Sequence, residues 1–81
     1  MPSFLDIRPY ITVKGELPYH IHETNESSDI RYYGYVAHNG SWIIMRQVAS
    51  TGVARYFSGK KDFATGWTDK ATHTYTYINL L

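Results

Sequence analysis

The chain has 81 residues, a formal net charge of +1 and no cysteine. That length bounds it to one domain, the near-neutral balance argues against a dedicated nucleic-acid binder, and the missing thiols exclude disulfides and thiolate metal sites. Hydrophobic residues at 43% against 19% charged place it among globular chains, while no apolar run reaches membrane-span length and the opening MPSFLDIRPY lacks the pattern of a signal peptide.

Residues 1–28 differ from the rest. They hold all three prolines, Pro2, Pro9 and Pro18, and proline fixes φ and removes a ladder donor. This segment reads as an extended arm or as edge strands, with short strands over 10–14, ended by Gly15, and over 19–24. Residues 25–28 form a loop. Residues 29–81 read as one antiparallel β domain.

The organising stretch is 29–57, three antiparallel strands joined by two tight turns. Asn39-Gly40 between alternating apolar runs predicts a two-residue type I′ turn. Ala37 then faces Trp42, Val36 faces Ile43 and Tyr35 faces Ile44. The second turn, Ser50-Thr51-Gly52, puts Gly52 in the left-handed position of a bulge.

Alternation then assigns two faces. One, free of charge, carries Ile30, Tyr32, Gly34, Val36, Ile43, Met45, Gln47, Ala49, Ala54 and Tyr56. The other carries Arg31, Tyr33, Tyr35, Ala37, Trp42, Ile44, Arg46, Val48, Arg55 and Phe57. Unpaired arginine is rarely buried, so the first face is expected to pack inward. The second is an aromatic and arginine surface, open to a partner or covered by this same chain. Trp, Tyr and Arg are the residues enriched at binding hot spots.

Residues 58–71 read as a loop with Phe63 and Trp67 as anchors against the sheet, Lys60 and Lys61 in a solvated turn, and Thr68-Asp69 capping a short helical turn. Residues 72–78 alternate strictly and predict a strand, with His73, Tyr75 and Tyr77 on one side. Leu80-Leu81 is an apolar pair that docks in this fold or enters a partner. The fold class is all-β: a small antiparallel meander, sandwich- or barrel-like, with little or no helix.

Reaction chemistry is absent from the pattern. There is no GxSxG, Walker loop, GxGxxG or paired carboxylate on a rigid frame, so neither catalysis nor a cofactor is expected. His20 and His22 share one side of a strand and with Glu23 would begin a metal site, but third and fourth ligands at metal spacing are missing, so no metal is expected. Chains this short need support. Without disulfides it is expected from oligomerisation or docking, through Tyr33, Tyr35, Trp42, Arg46 and Arg55 with Leu80 and Leu81.

Tyr32-Tyr33-Gly34-Tyr35, Asn39-Gly40-Ser41-Trp42, Arg46, Thr51-Gly52, Arg55-Tyr56, Ser58-Gly59, Trp67 and Tyr75 with Tyr77 form an ordered pattern. Over residues 30–77 it resembles a group of small structural proteins of tailed bacteriophages. The chain departs from that group at Lys70, where an arginine is expected, and at Ile78-Asn79-Leu80-Leu81, where an acidic aromatic tail is expected. The resemblance implies a virion protein: a β adaptor or decoration subunit of the neck, tail or fibre-attachment region. Its partners would be other virion proteins or copies of itself, with no membrane or nucleic acid. Two alternatives use the same side chains. In a carbohydrate- or receptor-binding module, Tyr33, Tyr35 and Trp42 would stack on pyranose rings; a single-stranded nucleic-acid binder would stack bases there.

Overall fold

The computed structural model describes residues 10–12, 18–59 and 62–81. Residues 1–9, Gly15 and the Lys60-Lys61 turn of the sequence reading lie outside them. Five strands, β1 (Tyr10–Thr12), β2 (Pro18–Asn25), β3 (Ile30–Val36), β4 (Trp42–Val48) and β5 (Val53–Phe57), pair antiparallel in sequence order and curl into a half-barrel. A short helix, α1 (Phe63–Thr68), follows, and the chain ends in a 3-10 turn, Ile78–Leu80.

The hairpin between β3 and β4 departs from the expected turn. Ala37 N donates to Ser41 O at 2.8 Å, Gly40 N donates to Ala37 O at 3.0 Å, and Gly40 has φ of 91°. The loop is therefore His38-Asn39-Gly40, a three-residue hairpin with glycine left-handed, rather than a two-residue Asn-Gly turn. Asn39 favours it, because its Oδ1 accepts from Ser41 N at 2.9 Å and closes a local side-chain turn.

The added residue moves the register by one. Tyr35 pairs with Ile43 and Val36 with Trp42. Such a slip sends every side chain of the strand to the opposite face. Ile43, Met45, Gln47, Ala54 and Tyr56 therefore share a face with Tyr33 and Tyr35, not with Ile30, Tyr32 and Val36. The second turn keeps the expected glycine: Gly52 has φ of 76° and its N–H donates to Val48 O at 2.7 Å.

The inner face of the half-barrel is the first core. Tyr33, Tyr35 and Met45 of β3 and β4 are buried there, and Ile11, Tyr19, Ile21, Ala54 and Tyr56 pack around them from β1, β2 and β5. Ile43 is also buried. A bulge between Ile21 and Glu23 bends β2, and the His22 ring meets Phe63 edge-on at 5.2 Å. Bulges of this kind sharpen local twist, which suits a strand wrapping around a tyrosine core.

The chain covers the outer face too. Asp62 caps α1, accepting from Thr65 N at 3.2 Å and from its Oγ1 at 2.8 Å. The helix lies nearly two turns earlier than a Thr68-Asp69 cap would place it, and Asp69 instead follows its C-terminal end. Phe63 and Trp67, one helical turn apart, stack at 5.6 Å and settle on Gly34, where a Cβ would come within 2.5 Å of Phe63 Cζ. Past the helix, Thr76 exchanges two backbone hydrogen bonds with Tyr56, at 2.6 and 2.8 Å, as an isolated bridge. The strand expected over 72–78 reduces to that bridge. Thr72 is still held in a turn, its N–H donating to Asp69 O at 2.9 Å, and the chain coils again at Ile78–Leu80.

Candidate functional site

Pairing across β3, β4 and β5 lays the outer face out in rows. Val36–Trp42 and Gly34–Ile44–Phe57 come first, then Tyr32–Arg46–Arg55, then Ile30–Val48–Val53. The first two rows are a second core. Ile44 is fully buried and Trp42 is 3% exposed. The Trp42 indole lies 6.0 Å from the Phe57 ring and 6.0 Å from the Phe63 ring. Its Cζ2–Cη2 edge meets two glycine backbones: a Cβ on Gly59 would come within 2.6 Å of Cη2, and one on Gly66 within 2.6 Å of Cζ2 and closer still to Cη2. His73 stacks flat on Phe57 at 3.9 Å, and its Nε2–H donates to Gly66 O at 2.8 Å, which ties the C-terminal segment to α1.

The third row is cationic and rests on rings. Arg46 Cζ lies 4.8 Å from the Tyr75 centroid, Arg55 Cζ lies 4.4 Å from Tyr77, and Lys70 Nζ lies 4.8 Å from Trp67 and 5.7 Å from Tyr32. Each such contact contributes on the order of 0.5–1 kcal/mol at an exposed site. His73, Tyr75 and Tyr77 thus lie on one side, as the alternation of residues 72–78 predicted, and each meets a side chain of β4 or β5, although no extended strand forms there.

The fourth row is open. Ile30 and Val53 are 46% and 44% exposed, with half-buried Val48 between them. Tyr77 at 57% lies beside Arg55, and Leu80 at 64% lies one turn further on, in a segment that packs beside β5. These four are the exposed large apolar residues among those described. The candidate surface is this ledge with the cationic row along its border.

Residues proposed for contact from sequence therefore fall in two groups. Tyr33 and Tyr35, each 1% exposed, lie in the inner core, and Trp42 lies in the outer one. They are covered by their own chain: β1 and β2 supply atoms for the tyrosines, α1 and the loop before it for Trp42. Arg46 and Arg55 are half-buried in the cationic row, Leu80 is exposed and Leu81 is half-buried. Ile30, Val53 and Tyr77 complete the ledge. The register slip hid the first two, since it assigned Ile30 to the inward face and gave Val53 no part.

Burial marks the core tyrosines electrostatically. Desolvation pushes the Tyr33 hydroxyl up to about 12, aided by the Glu26 carboxylate, which accepts its proton at 2.8 Å. Burial likewise raises Tyr35 to about 12, with smaller contributions from Tyr56 and Tyr33. Tyr75 is raised further, again mainly by desolvation. All three remain neutral donors across the physiological range.

A mostly apolar hollow of about 300 Å³ sits between Trp42, Phe57, Thr65, Asp69 and His73. Among the described residues, no group of three or more His, Cys, Asp and Glu is placed to hold a metal ion, and no helix is long and apolar enough to cross a membrane. No protein-family model, curated protein or solved structure matches the chain.

Proposed function

We propose that this chain is a non-catalytic adhesion subunit, attaching to another protein through the open end of its outer face. The observation that carries the reading is the exposed row of Ile30 and Val53 next to the row of Arg55, with exposed Tyr77 against Arg55 and exposed Leu80 in the turn that packs beside β5. Single apolar residues on a surface need no explanation, but a contiguous group beside arginine and tyrosine has the composition of a binding site. Attachment needs no turnover: partner side chains cover the ledge and displace its water. Arg46, Arg55, Leu80 and Leu81 make contact with the ledge residues. Tyr33, Tyr35 and Trp42 contribute from beneath, by keeping the sheet rigid.

The setting comes from the sequence resemblance. The subunit belongs to the virion of a tailed phage, in the neck, tail or fibre-attachment region, with other virion proteins or further copies as partners. No observation favours the carbohydrate alternative as first framed, because the rings of Tyr33, Tyr35 and Trp42 do not face solvent. Mass spectrometry of purified particles tests the setting: the chain is expected in mature virions, and its absence sinks that part of the proposal. Val53→Asp and Leu80→Asp test the surface. Each is expected to abolish incorporation while leaving the melting temperature of the isolated protein near that of the parent.

A further inference from the structure

The cationic row carries a feature that apolar adhesion does not require. Arg46 and Arg55 stand directly opposite each other on neighbouring strands, on the same face. Like charges so placed destabilise a sheet pair. Lys70 extends the row by reaching over Tyr32, the cross-strand partner of Arg46. The polar contacts of these cations among the described residues are to carbonyls: Arg55 Nη1 donates to Ala54 O at 2.8 Å and Lys70 Nζ to Trp67 O at 3.4 Å. No described carboxylate lies within ion-pair distance of any of the three. The acid nearest in sequence to the ledge, Asp29, is engaged elsewhere: its two oxygens accept from Ser50 N at 2.9 Å and Ser50 Oγ at 3.0 Å.

From this we infer that the partner is a protein segment in which acidic and aliphatic side chains alternate, its carboxylates meeting Arg46 and Arg55 while its aliphatic groups cover Ile30, Val48 and Val53. The inference rests on the adhesion reading above and names the chemistry of the partner. Two arginines side by side offer forked donors that suit carboxylates, and such charge-assisted bonds are stronger than neutral ones. The rings behind them hold the guanidinium groups in place, which lowers the entropic cost of engaging them. A row of cations next to a row of aliphatic residues, two residues apart along each strand, matches a segment laid across the sheet rather than a point ligand.

Charge argues against a second copy in this role. A two-fold axis through the patch would set arginines against arginines, and juxtaposed like charges suppress such pairing. The ledge argues against single-stranded nucleic acid, which needs free aromatic faces for its bases. Here the ledge carries a single ring, Tyr77, among aliphatic residues, and Arg55 occupies one face of it.

The test uses the full chain and two labelled peptides, one alternating Glu with Ile and a counterpart with Gln in place of Glu. Binding is followed by fluorescence polarisation at low and high salt. The Glu peptide should bind about tenfold tighter at low salt, the scale of one charge-assisted contact, and high salt should narrow the gap. Arg46→Gln or Arg55→Gln should remove most of the preference, whereas Arg55→Lys should keep part of it. NMR titration of the unmodified protein requires no folded variant: the amides of Arg46, Val48, Val53 and Arg55 should shift with the Glu peptide. Equal affinity for both peptides would overturn the acidic partner while leaving apolar adhesion standing. Binding of neither peptide also overturns the inference, with particle incorporation of Val53→Asp deciding the adhesion reading separately. An oligonucleotide that binds tighter than the Glu peptide, with steep salt dependence, would overturn both.

Discussion

Replacing Gly66 by alanine sets two effects of known sign against each other. Glycine inside a helix costs about 1 kcal/mol relative to alanine, so propensity alone predicts that Gly66→Ala stabilises α1. Packing predicts the opposite. The new Cβ would lie 2.6 Å from Trp42 Cζ2 and 3.1 Å from Cζ3, well inside contact distance. The indole is rigid, and Phe57, Phe63 and the Gly59 backbone pack against it, so any retreat must break those contacts. Overpacking a core commonly costs about 1–3 kcal/mol, and a clash with a pinned ring belongs at the upper end. The net expectation is destabilisation by about 1–2 kcal/mol, read as a lower midpoint in chemical denaturation with an unchanged slope. Repeating the substitution in a Trp42→Leu background removes the obstacle, so there alanine should be the more stable residue by about 0.5–1 kcal/mol. Gly66→Ala that stabilises both backgrounds would show that Trp42 does not pack against the helix as described.

Three further outcomes are expected. Gly40→Val should destabilise by about 1–2 kcal/mol through the backbone alone, since nothing lies within 4 Å of a Cβ there and φ is +91°; a thermal melt matching the parent would refute a left-handed Gly40. Ile44→Ala should cost about 2–5 kcal/mol, and Val53→Ala, on the open ledge, about 0.5 kcal/mol or less; equal losses by urea titration would mean that the ledge is part of the fold. The third outcome concerns alkali. Tyr33 and Tyr35 are raised from 10.0 to about 12 in the fold, so the folded state holds its protons longer and stability must fall as pH rises. Their contribution is complete below pH 10 and is lost as pH passes through about 12, amounting to about 2–3 kcal/mol per group. Tyr33→Phe should flatten that decline, and an unchanged pH profile between the two proteins would refute the assignment.

Much of the architecture was legible because turn residues and alternation are local signals. Asn39-Gly40 and Gly52 marked the reversals, and the strands of 29–57 appear where the apolar alternation put them. What misled was one residue of loop length. A two-residue and a three-residue turn both satisfy Asn-Gly, and the choice depends on whether Asn39 bonds Ser41 N, which composition does not reveal. Since side chains alternate with period two, that single residue moved Tyr33 and Tyr35 from outside to inside. The helix left a trace in Asp62 three residues before Thr65, a cap pattern. The niches at Gly34, Gly59 and Gly66 left none, because each belongs to a ring distant in sequence. For the surface, Arg46 and Arg55 were legible as sharing one face, and their pairing across β4 and β5 came from the structure. Ile30 and Val53 were not, because recognising an open ledge requires knowing where the cover of α1 and the C-terminal segment ends.

The isolated bridge between Tyr56 and Thr76 also says how the molecule should breathe. A segment held along a ladder leaves it bond by bond, but among the described residues this one has two backbone bonds to the sheet, and it is held on the strands further by rings: His73 on Phe57, Tyr75 against Tyr32 and Phe57 and beneath Arg46, and Tyr77 beneath Arg55. Such a segment opens as a unit when its rings let go, without disturbing the β3–β4 hydrogen bonds. In hydrogen exchange, the Thr76 and Tyr56 amides should therefore lose protection together at a free energy below that of global unfolding, while Ile44 and Met45 exchange only with the whole sheet. Because Arg46 and Arg55 sit on the rings that move, the same opening frees both guanidinium groups at once, so the surface and its cover share one equilibrium.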